Sequence, residues 1–131
     1  MRNCITASFK IEPYNGSSYD FYLSRKSSLC EDLNSLMNPL GRVCRSLKTQ
    51  EDPLQEGEWL IAFFGPFVTK RDYEGTPEDW DYHVIFFEDN VWKHRDGKGA
   101  EITEVSEDLF DYFVGKHKIN PQYFAVKQVE V

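Results

Sequence analysis

Apolar residues in this chain fall into short runs separated by polar turns, with two stretches at helical spacing. Cys4 to Ile11 alternates loosely and reads as a first strand, ended by Glu12-Pro13 and the turn-like Asn15-Gly16-Ser17-Ser18. Tyr19 to Leu23 reads as a further short extended piece. Leu29, Leu33, Leu36, Met37 and Leu40 then recur at helical spacing. Ser28 stands before them as N-cap and Glu31 at N3, a capping box, and Asn38-Pro39 or Gly41 ends the helix.

Glu58 to Phe64 reads as a central strand stopped by Gly65-Pro66, and a polar loop, Thr69 to Asp79, follows. Trp80-Asp81-Tyr82-His83-Val84-Ile85-Phe86-Phe87 has the β-branched and aromatic content of a buried strand. Polar Glu88-Asp89-Asn90 and a second extended run, Val91 to Asp96, make it one arm of a β-hairpin. Ser106-Glu107-Asp108 opens a second helix with an apolar stripe of Leu109, Phe110, Phe113 and Val114 and with Gly115 as its C′ residue. Asn120-Pro121 precedes a last strand, Tyr123 to Val129. With no repeat or linker, residues 1–131 form one α+β domain: a helix packed on a mainly antiparallel sheet, and a second helix before the closing strand.

The hairpin register places the first candidate chemistry. If Asp89-Asn90 is a two-residue type I′ loop, Glu88 pairs with Val91, and His83 comes to stand opposite Asp96. Opposed residues share a face with Cβ atoms about 5 Å apart, near enough for a carboxylate to hold an imidazole nitrogen. The capping box places Cys30 as the second residue of the first helix. There the unpaired N–H groups and the helix dipole favour a thiolate, while Glu31 and Asp32 oppose it, so activation calls for His83 as an ion-pair partner. The same amides can donate to an oxyanion. Each residue also has a plainer reading: Cys30 beside Leu33 and Met37 as a small core residue, His83 as a histidine bonded to backbone, Asp96 before Gly97 as a turn residue. Cys4 and Cys44 lack a helix-start context and read as buried small residues. Trp59, Trp92 and the phenylalanines read as packing, and His117 as part of an exposed helix C-terminus.

Composition narrows the field. The chain has 131 residues with 40% hydrophobic and 15% aromatic residues, enough for a core without staples. A net charge of −7 and the absence of any long Lys or Arg run argue against direct nucleic-acid binding and leave a basic protein partner open. Three cysteines at unrelated spacings, and no apolar signal-like stretch near Met1, point to a reducing cytoplasm. No run approaches the roughly 20 apolar residues of a membrane span. Cys30, His83, His94 and His117 do not make a metal spacing, so no metal is assigned.

Cysteine at a helix start, then a strand histidine, then an acid on the next hairpin arm is the chain order of papain-like cysteine enzymes. Trp80-Asp81-Tyr82-His83-Val84 resembles the signature of the protein N-terminal glutamine amidohydrolases, a family with a papain-like fold and a Cys-His-Asp triad. Cys30-Glu31-Asp32 is similar in content and placement to that family's nucleophile segment, and Leu109-Phe110-Asp111, Val114 and Pro121-Gln122-Tyr123 resemble its segment beyond the catalytic acid. The likeness spans roughly residues 28–131. It implies a papain-like domain with Cys30 as nucleophile, His83 as base and Asp96 as orienting acid. The family's acid lies in a Tyr-Asp-x-Asp stretch where this chain has His94-Arg95-Asp96-Gly97, so His94 or Asp96 could take that position, and the hairpin register favours Asp96. The family's proline-rich extension is absent here, which leaves specificity open.

The implied reaction is deamidation of glutamine, N-terminal or internal, in a protein or peptide substrate. Cys30 attacks the carboxamide, His83 protonates departing ammonia, and water then opens the thioester, a reaction that requires no cofactor. Two other readings stand beside it: a thiol protease, and a non-catalytic acidic interaction protein. The last is distinguished by carboxylates clustered on one face and by Cys30 lying remote from His83.

Overall fold

A computed structural model describes residues 3–11, 28–65, 83–95, 101–117 and 121–130. Helix α1 spans Asn3–Ser8 and α2 Leu29–Met37, followed by a 3-10 turn at Asn38–Leu40. Strands β1 (Arg42–Leu47) and β2 (Glu58–Phe64) come next, then the β3–β4 hairpin (His83–Glu88 and Val91–Arg95). The short β5 (Ile102–Glu104), helix α3 (Glu107–His117) and β6 (Gln122–Gln128) complete the described elements. The strands form one sheet in the order β1-β6-β2-β3-β4-β5, every neighbouring pair antiparallel. The architecture is the expected α+β one, with the Cys30 helix packed on an antiparallel sheet.

Both faces of the sheet are covered. On one, α1 and α2 pack Ile5, Phe9, Leu33 and Met37 against Ile61, Phe63, Val84, Phe86, Phe124 and Val126. On the other, α3 brings Phe113 against Ala62, Phe64 and Ile85. Two covered faces explain why β2 is a continuous apolar run and not an alternating one.

Several expectations hold. Ser28 is the N-cap of α2, its Oγ accepting from the Glu31 N–H at 3.2 Å, and Gly41 ends the following turn at φ +78°. Asp89 and Asn90 take φ of +56° and +63°, the type I′ signature, and Glu88 pairs with Val91. The last strand lies one residue earlier than expected.

Other expectations are corrected. Cys4–Ile11 is not a strand: it is α1 with a Schellman cap. Lys10, at φ +55°, is the C′ residue; its N–H donates to Ala7 O and the Ile11 N–H to Thr6 O. Every residue from Cys4 to Phe9 is buried, so the segment shows no amphipathic period, and a short apolar run does not distinguish helix from strand. Gly115 is not C′, because α3 continues through it to His117. The sequence reading also missed β1 and β5. In β1 only Cys44 is buried, and β5 is exposed throughout, so neither shows alternation. The extended piece at 19–23, the turn at 15–18 and the loop at 69–79 lie outside the described residues.

Candidate functional site

Cys30 sits in the first turn of α2, as the cap dictates, and its surroundings are structural. Its Sγ donates to Cys44 O at 3.7 Å and accepts from Asn34 Nδ2 at 3.6 Å. Asn34, one turn further along, donates to Cys44 O and accepts from the Cys44 N–H, both at 2.9 Å. Strand β1 is the sheet edge, and these bonds occupy its outward backbone groups at Cys44. Burial, reinforced by the neighbouring Cys30, pushes the Cys44 thiol well above its ordinary value. Such a thiol stays protonated and is a packing group, not a nucleophile.

His83 opens β3. It pairs across the sheet with Phe64, whose ring belongs to the α3 face, and its own ring stacks on Phe113 at 4.5 Å between centroids. Its Nε2 lies 2.9 Å from His94 Nδ1, with both residues buried. At that separation one ring nitrogen donates and the other accepts. The hairpin register accounts for the contact. Continued one step past Phe86 and Lys93, it sets His94 opposite Ile85, which puts His94 diagonal to His83 on the same face. Sequence reasoning had named His94 as a competitor of Asp96 for this role. Asp96 itself, like Trp80, Asp81 and Tyr82, lies outside the described residues.

The structure does not bring Cys30 and His83 together. Cys30 lies against β1, whereas His83 is on β3, with β6 and β2 between them. Three strand spacings of about 4.8 Å amount to ~14 Å across the sheet. Cys44 is level with Val126, and Val126 with Trp59, while His83 is level with Phe64 at the far end of β2. Those five residues add ~17 Å along the strands. The two side chains also belong to opposite faces, Cys30 packing with α1 and α2 and His83 with α3.

The cysteine that opens a helix packed on the histidines' own strands is Cys4. Helix α1 packs against β3 and β4. Its C-terminal end is fixed where Trp59 Nε1 donates to Ser8 O at 2.9 Å and Arg42 Nε to Phe9 O at 2.8 Å. Cys4 is 6% exposed and belongs to the core on the α1 side, across the sheet from the imidazoles. Its helix-start position was hidden by the strand reading of residues 4–11.

Among the described residues no group of three or more His, Cys, Asp or Glu is arranged to hold a metal ion, and no helix is long and apolar enough to cross a membrane. Among the described residues the fold is that of an α+β protein with one antiparallel sheet covered on both faces. Comparisons with family models, curated proteins and solved structures find no match to this chain.

Proposed function

We propose that this chain is a non-catalytic acidic interaction protein that binds a basic protein partner through the surface built by β5 and α3. The observation that carries this reading is the run Glu101, Glu104, Glu107, Asp108 and Asp111 from β5 into α3, five carboxylates exposed within eleven residues, with Glu104 on the sheet face away from α3. Among the described residues none of the five forms an ion pair. Exposed Tyr112, 59% accessible and one turn beyond Asp108 on α3, adds apolar area beside these carboxylates. Fixed negative charge beside exposed apolar side chains favours a cationic partner and speeds its encounter at low salt. The remoteness of Cys30 from His83 supports the same reading, because it separates the nucleophile from the base that amidohydrolysis would need.

The test is titration of the full chain with a fluorescent arginine- and lysine-rich peptide. Saturable binding is expected, weakened by added salt and by Glu101→Gln with Glu104→Gln and Asp108→Asn. It should persist when three carboxylates elsewhere, Glu31, Glu56 and Glu130, are neutralised. Equal weakening by the two sets would leave net charge alone as the cause and defeat the reading.

A second reading is supported by the 2.9 Å His83–His94 contact within the stretch that resembles the amidohydrolase signature. In it His83 is the base and His94 or Asp96 its orienting group. Ammonia release from glutamine peptides, or cleavage of the peptide bond for a protease, would then be lost in His83→Ala and kept in Cys30→Ser. Absence of both activities in the wild type removes it.

A further inference from the structure

A groove of about 330 Å³ opens between β4, the β5–α3 junction and the start of α3. Trp92, Val105 and Phe110 supply its apolar surface, Glu107 and Asp111 stand one helical turn apart on α3, and Gln50 and Ser106 complete the lining. The Trp92 and Phe110 rings lie 5.9 Å apart at 43°. Trp92 is held from its other sides by Phe87 at 5.1 Å and Tyr123 at 6.3 Å, so its ring is a fixed wall. Ser106 Oγ is already committed as the N-cap acceptor of the Leu109 N–H.

Two aromatic walls beside two carboxylates are complementary to a cation on an apolar stem. The ring faces attract positive charge, the carboxylates pair with it, and Val105 covers methylene groups. A guanidinium suits this better than an ammonium, because its plane stacks on an aromatic ring while its N–H fork reaches a carboxylate. The volume fits one long side chain and is small for a folded element.

We infer that this groove receives an arginine side chain presented by the basic partner. The inference rests on the interaction reading and deepens it, since it names the anchoring residue type and the pocket that takes it. Acidic surface alone would attract any polycation; the aromatic walls convert that attraction into recognition of one kind of side chain.

The experiment compares hexa-arginine and hexa-lysine peptides, equal in charge, titrated into the full chain by calorimetry. The Trp92 indole N–H is followed by NMR in parallel, its resonance assigned with Trp92→Phe. Hexa-arginine is expected to bind about tenfold more tightly, and saturation to shift the Trp92 indole resonance. Glu107→Gln with Asp111→Asn should weaken hexa-arginine binding about tenfold, against little change for the equal charge loss of Glu56→Gln with Glu130→Gln. Phe110→Leu should weaken it with charge unchanged, and the Trp92 shift in the wild type gives the same answer without any variant. Peptide binding that leaves Trp92 unmoved, or that the distant pair weakens as much as the rim pair, overturns the groove assignment while leaving a binding surface in place. Absence of binding by either peptide overturns the interaction reading as well.

Discussion

Asn34 holds the backbone of Cys44 by two bonds of 2.9 Å, one donated and one accepted, and so stands in for a neighbouring strand at the edge of the sheet. The contact anchors α2 to β1 and gives Cys30 a subordinate place, its thiol sharing the Cys44 carbonyl. Asn34→Ala is expected to cost about 2 kcal/mol, because it strands two backbone groups in a part-buried setting. Cys30→Ser should change stability by less than about 1 kcal/mol. Urea denaturation of the two variants checks the order, and a larger loss for Cys30→Ser would contradict it.

The two buried imidazoles should behave as a unit. His94→Ala removes both a ring packed on the α3 face and the partner of His83 Nε2, at a cost of about 2 kcal/mol or more. A double-mutant cycle with His83→Ala should return a coupling of about 1 kcal/mol. Strict additivity of the two losses would mean that the 2.9 Å contact has no energetic consequence.

Acid should destabilise the fold through carboxylates that are bonded in the native state. Glu58 is the main case: its side chain is 5% exposed, Arg45 grips it with two bonds of 2.8 and 2.9 Å, and the Gln55 N–H donates to it at 2.6 Å. The Arg45 bond first, and the Gln55 amide after it, hold the Glu58 carboxyl below its ordinary value against the opposing effect of burial. Asp52 is lowered chiefly by the Lys48 N–H, and Glu88 by Lys10 and then Lys93. A depressed folded-state pKa contributes stability that is present above the unfolded-state value, about 4 to 4.5, and is lost as pH falls through the folded value. Urea midpoints should therefore decline below about pH 5, with a shallower decline in Glu58→Gln. An identical decline in that variant would exclude Glu58 as a contributor.

The hairpin turn offers a local test. Asn90 has φ +63° without being glycine, so Asn90→Gly should be neutral or slightly stabilising and Asn90→Ala should cost about 1 kcal/mol. Thermal melting of both variants reads the difference. Equal melting points would show that the turn tolerates any residue.

How much of this was legible in advance follows from how local each cause is. The Ser28 cap, the Asp89-Asn90 turn and the apolar runs of β2 and β3 act over a few residues, so composition and spacing reveal them. Helix α1 was misread because its burial on all sides erased the periodicity. Strands β1 and β5 were missed because edge strands with few buried positions carry no alternation. Even the His83–His94 contact was within reach, since a type I′ loop fixes the register that makes them diagonal neighbours.

By itself, then, the sequence determined an α+β chain with a capped Cys30 helix, a hairpin of known register, an acidic surface and enough apolar residues for a core. Strand order and facing were decided only by tertiary structure. Placing β6 and β2 between β1 and β3, and sending α2 and α3 to opposite faces, depends on long-range burial of two apolar surfaces. No short-range signal near Cys30 or His83 encodes that choice. It set the thiol and the imidazole apart, gave His83 a histidine partner, and assembled the aromatic groove beside the carboxylates of α3.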